Sequence, residues 1–71
     1  MYFAAALRRW RRHKFLTQRA LAEALSVSLT TVQRWEMGRT IPHPATQKRL
    51  IEVLEITADE FLAAMEEGPP Q

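Results

Sequence analysis

The sequence predicts an all-α fold, a compact bundle of five helices, on three observations. Apolar residues recur at spacings of three and four in successive segments, the period of one helix face. Residues that start or stop helices separate those segments: Thr17, Ser28, Gly38, Pro44 and Thr57. The composition is 46% apolar, with two glycines and no cysteine in 71 residues, which favours a packed helical core over a loop-rich or disulfide-stapled fold.

Phe3, Leu7 and Trp10 give the first helix, over residues 2–14, its apolar stripe. Arg8, Arg9 and Arg12 fall mostly off it. Arg11 lies about 40° from Leu7 at about 100° per residue, so its charge leans toward the core and requires a partner. Thr17 is an N-cap for a second helix to about Leu25, with Leu21, Ala22 and Leu25 on one face. Ser26-Val27 forms a turn, and Ser28 caps a third helix that runs through Met37 and stops at Gly38, which supplies a left-handed residue. Val32 and Trp35 mark the buried side of that helix. Glu36, about 40° from Val32, is the inward-leaning acid that matches Arg11.

Pro42 and Pro44 make Arg39-Thr40-Ile41-Pro42-His43-Pro44 a loop, and Pro44 suits the first position of a fourth helix. That helix carries Leu50, Val53 and Leu54 to about Glu55. Thr57-Ala58-Asp59-Glu60 is a capping box that opens a fifth helix carrying Phe61, Leu62 and Met65. Residues 1–67 are expected to be a single domain, and 68–71, Gly68-Pro69-Pro70-Gln71, a flexible tail.

The formal net charge of +2 conceals a polarity. All ten basic residues lie at or before Arg49 with two acids, Glu23 and Glu36, an excess of +8 for residues 1–49; the six acids after it give −6 for residues 50–71. Such asymmetry suggests a basic face toward a polyanion and an acidic end held away from it. The length leaves room for one small domain and predicts no second, ligand-sensing one. No apolar run is long enough to span a bilayer and no signal peptide is evident, so a cytoplasmic, nucleoid-associated protein that does not engage a membrane is expected. His13 and His43 stand apart from metal-ligand partners or a nucleophile, and neither a glycine-rich phosphate loop nor a paired-carboxylate pocket is evident. Neither an enzyme nor a bound metal or cofactor is expected.

Two short helices joined by a tight turn, with hydroxyl caps at both starts, form the signature of a helix-turn-helix over Thr17 to Gly38. Together with Leu7, Arg11, Thr17-Gln18, Leu21-Ala22-Glu23, Leu25, Val27-Ser28, Val32, Arg34-Trp35-Glu36, Gly38 and Asp59-Glu60-Phe61-Leu62, it resembles the Cro and phage-repressor family of helix-turn-helix DNA-binding domains, often called Xre. The resemblance covers roughly residues 3–65. It implies a repressor-like bundle in which the third helix enters the major groove while the second crosses the phosphate backbone.

Helical phase then selects the side chains free to read bases. Thr30 and Arg34 point almost opposite Val32, with Thr31 and Gln33 flanking them. Arg34 is the strongest candidate, since a guanidinium can donate two hydrogen bonds to O6 and N7 of guanine. Gln33 suits adenine, and Leu29 or Thr30 a thymine methyl. The resemblance implies phosphate contacts for Gln18, Ser28, Arg39 and Thr40, and a buried, structural salt bridge for Arg11 and Glu36. Three positions depart from the family. Ser26 occupies a turn position usually held by Gly, Phe15 a helix-one exit often held by Gly or a polar residue, and Leu29 replaces a polar residue that in several relatives hydrogen-bonds a base with help from the glutamine at position 18. Operator preference therefore does not transfer.

These features lead to an expected transcriptional regulator, a repressor by default, that binds an inverted-repeat operator as a homodimer, with Phe61 and Met65 as the candidate dimer surface. The competing expectation is an antitoxin-like interaction module that holds a protein partner on its acidic C-terminal helix and binds DNA secondarily. A nonspecific basic DNA binder is a third.

Overall fold

A computed structural model describes residues 2–66, with side chains from Phe3 onward. Five helices follow in order: α1 Tyr2–His13, α2 Gln18–Leu25, α3 Leu29–Glu36, α4 Pro44–Leu54 and α5 Ala58–Glu66. The all-α class and the five-helix order agree with the sequence expectation. α1 ends at His13, leaving Lys14 in the following turn. The expected tail at 68–71 lies outside the described residues.

Helix α3 packs on both α1 and α2, α5 on α1, and α4 on α2. Phe3, Leu7, Leu21, Val32 and Leu50 are each 0% exposed and meet in one core with Trp10, Leu25, Trp35, Leu54 and Phe61. Each contributes burial worth about 1.5–3 kcal/mol for an aliphatic or phenyl side chain. Phe61 seals the space between α1 and α5. Its ring meets Phe3 edge-on at 5.6 Å and stacks on Trp10 at 6.3 Å. On α5 the inward positions are Phe61 and Ala64, whereas Leu62 is 52% exposed and Met65 packs half-buried on the core. One sequence expectation is corrected here: Phe61 is 1% exposed and presents no surface for a second chain, while Leu62 is the large apolar side chain that α5 leaves outside.

Four helices end in the same way, with a left-handed residue that donates to the carbonyl three residues back while the next residue donates five back. For α1 these bonds are Phe15 N–H to Arg12 and Leu16 N–H to Arg11, for α2 Ser26 to Glu23 and Val27 to Ala22. For α3 they are Gly38 to Trp35 and Arg39 to Arg34, for α4 Glu55 to Glu52 and Ile56 to Ile51. Only α3 uses glycine; Phe15, Ser26 and Glu55 hold φ near 57°, 57° and 55°. Each non-glycine costs about 1–2 kcal/mol. The residue after each non-glycine offsets that cost, because Leu16, Val27 and Ile56 pack against the core. After Gly38 comes the exposed Arg39, with no such anchor. Glycine is therefore needed there.

Helix starts follow the caps in the sequence. Thr17 Oγ1 accepts from Ala20 N–H at 2.9 Å, and Ser28 Oγ from Thr31 N–H at 3.1 Å. The Thr57–Glu60 box closes in both directions, Glu60 N–H to Thr57 Oγ1 at 3.0 Å and Thr57 N–H to Glu60 Oε1 at 3.0 Å. An exposed ion pair between Lys14 and Glu55, invisible to helical phase, links the α1 and α4 exits.

Candidate nucleic-acid interface

The caps at Thr17 and Ser28 and the left-handed Ser26 fix how α2 turns into α3, and the buried side chains fix how α3 is rotated. Val32, Trp35 and Glu36 face inward, at 0%, 3% and 3% exposure. The opposite side of α3 is therefore set by subtraction. Thr30 and Arg34 are exposed, and Leu29, Thr31 and Gln33 are partly exposed beside them. Ser28 at the head of α3, and Arg39 and Thr40 beyond its end, are exposed as well.

The two hydroxyls at the head of α3 are engaged with each other, Ser28 Oγ to Thr31 Oγ1 at 2.8 Å. One proton closes that bond, so the pair keeps one hydroxyl proton for an outside acceptor. Arg34 has no such internal engagement: its side chain makes no hydrogen bond or ion pair among the described residues. Its five donors are available to a ligand.

Inside the bundle, Arg11 and Glu36 are joined as a fork. Nε donates to Glu36 Oε2 at 2.6 Å and Nη2 to Oε1 at 3.0 Å. The remaining Nη1 donates to the Leu16 carbonyl at 2.9 Å, just ahead of the α2 cap. Gln18 Nε2 donates to Glu36 Oε1 at 3.1 Å. No buried side-chain nitrogen or oxygen is left without a partner among the described residues. Burial by itself would push the Glu36 carboxyl up, but the bonds from Arg11 and Gln18, with the charges of Arg11 and Arg8, hold it below the usual carboxylate range. The same bond with Glu36 raises Arg11 against its desolvation.

Helical phase placed Arg11 and Glu36 on matching inward sides; it gave no sign of the Leu16 bond, which depends on how the α1–α2 turn folds back, or of the Gln18 bond, which depends on the α2–α3 turn. Gln18, expected at the surface, is half-buried and tethered from within. Asp59, Glu60 and Glu66 stand exposed on α5, and Glu52 and Glu55 at the end of α4. No described helix is long and apolar enough to cross a membrane, and no group of three His, Asp or Glu side chains among the described residues could hold a metal ion.

An all-α bundle whose second and third helices meet through a capped tight turn defines a helix-turn-helix domain. The chain belongs to the helix-turn-helix domain family, whose model matches residues 3–64. Over 66 residues it is 38% identical to the HTH-type transcriptional activator BcrR of Enterococcus faecalis, a match that covers 93% of this chain and 32% of that protein. The chain thus spans about a third of the length of this relative. The crystal structure of the clp gene regulator ClgR from Corynebacterium glutamicum superposes with a TM-score of 0.80 at 30% identity, covering 89% of this chain and 67% of that one.

Proposed function

We propose that this domain is a cytoplasmic transcription regulator that binds double-stranded DNA sequence-specifically, with α3 in the major groove. One observation carries the reading. The core rotates α3 so that Thr30 and Arg34 are exposed, Arg34 with no partner among the described residues, and Leu29, Thr31 and Gln33 flank them. In this reading Arg34 reads a guanine and Gln33 an adenine, and Leu29, Thr30 and Thr31 touch neighbouring bases. Gln18, Ser28, Arg39 and Thr40 hold the phosphates on either side. Family membership and the likeness to two proteins named as gene regulators support it.

The proposed assembly is a homodimer on an inverted repeat, its two α3 helices about 34 Å apart along the DNA axis. Repression by occlusion needs nothing beyond the DNA-facing surface. Activation, the activity in the name of the Enterococcus relative, would need a further contact with the transcription machinery. A reporter gene placed behind the selected site separates the two by the sign of its response.

Selection of binding sites from random DNA tests the reading. An enriched inverted repeat is expected. Recovery of no motif at moderate salt would overturn it, and a steep loss of affinity with salt in the absence of a motif would mark a nonspecific binder. The exposed Leu62 beside the acids of α5 favours a second reading, a protein-contact face on that helix. Light scattering of the purified chain and of Leu62→Glu, each alone and with DNA, tests self-association through that face, since only a dimer held there loses mass on the substitution.

A further inference from the structure

We propose that Glu36 is a positioning residue for DNA binding, acting through Gln18 at the start of α2. The inference rests on the DNA-binding reading above and deepens it. Gln18 Nε2 donates to Glu36 Oε1 at 3.1 Å, while both oxygens of the same carboxylate are held by Arg11 at 2.6 and 3.0 Å. A carboxylate only accepts hydrogen bonds, so it takes the NH2 side of the amide and rejects the carbonyl side. The carboxamide of Gln18 therefore has one way round.

With one N–H committed inward, the second N–H is left for an outside acceptor. A phosphate oxygen is also an acceptor only, so it needs that N–H. Were the amide free to flip, its carbonyl would face the phosphate in part of the population and repel it. Leu29, the side chain at the head of α3, has no polar atom with which to orient Gln18 instead. Arg11 completes the arrangement in two ways. Its charge neutralises Glu36 beneath the proposed phosphate contact, and its Nη1 bond to the Leu16 carbonyl steadies the segment that carries the Thr17 cap and Gln18. The buried ion pair thus sets a surface donor rather than only closing the core.

Two measurements test this. In the free protein, the Gln18 side-chain amide protons in a nitrogen-correlated NMR spectrum should be displaced from the positions of a free carboxamide, with one protected from exchange. Glu36→Gln should return them to the positions and exchange rate of a free carboxamide. Because Glu36→Gln strands the Arg11 charge and can unfold the domain, the pair is also replaced together as Arg11→Met with Glu36→Leu, which removes the carboxylate and leaves no buried charge. On a duplex selected from random DNA, Gln18→Ala should weaken binding about tenfold in the wild-type background, as loss of a charge-assisted bond does. In the paired apolar background the same change should weaken it less than twofold. Equal losses in both backgrounds, or a Gln18 amide indifferent to Glu36, would overturn the role of Glu36 while leaving the DNA-binding reading intact. Failure of the wild-type chain to bind any duplex would overturn both.

Discussion

The guanidinium of Arg11 and the carboxylate of Glu36, 25 residues apart, meet as a two-bond fork inside the bundle, with Nε 2.6 Å from Oε2 and Nη2 3.0 Å from Oε1. The pair joins α1 to the end of α3, and its side chains are 10% and 2% exposed. At this depth the charges are shielded from water, so each depends on the other. Glu36→Ala or Arg11→Ala is expected to cost about 3–5 kcal/mol, because the remaining charge is buried without a partner. Thermal and urea unfolding monitored by circular dichroism check it; an unchanged midpoint would show that the pair is solvated.

Acid should destabilise the domain through Glu36. Its carboxyl lies below the usual value of 4.5 in the folded chain. A folded-state value below the unfolded one means stability that is fully present above about pH 5 and is lost as the pH falls through the folded value. Urea midpoints measured between pH 6 and pH 3 should fall below about pH 4.5, and the fall should be smaller in the chain with both Arg11→Met and Glu36→Leu. A matching fall in the two proteins would assign the acid sensitivity to other carboxylates.

Arg34→Ala is expected to relax preference at a single base pair of the selected site and to cost about 1–3 kcal/mol of binding. Competition with site variants reads this directly. Uniform weakening across all sequences would instead place Arg34 on a phosphate.

Phe15→Gly should stabilise the domain by about 1 kcal/mol, since Phe15 is 95% exposed and held at a φ of 57°. In a domain of this size that corresponds to a melting temperature about 4–8 °C higher. Ser26→Gly, at the same φ, should act similarly. A lower melting temperature for Phe15→Gly would mean that the phenyl ring contributes contacts that outweigh its backbone strain.

Local rules accounted for most of the fold and for part of the site. Thr17, Ser28 and Thr57 cap helices where their hydroxyls and neighbours predict it, because capping is decided within four residues. The inward lean of Arg11 and Glu36, and the outward one of Thr30 and Arg34, follow from helical phase alone. Phase was insufficient on α5. There Phe61 and Leu62 are adjacent apolar residues, and only the packing of Phe3 and Trp10 decides that Phe61 goes in and Leu62 stays out.

The sequence by itself determined five helices, the boundaries it set for them within a residue or so, and which side of α3 is exposed, because each rests on contacts between near neighbours in the chain. The tertiary structure decided what Gln18 does. Its tether to Glu36 spans 18 residues and exists only once the α2–α3 turn, through Ser26 and Val27, lays the head of α2 beside the end of α3. Helical phase orients a side chain about its own axis. It carries no information on which other helix that side chain will meet.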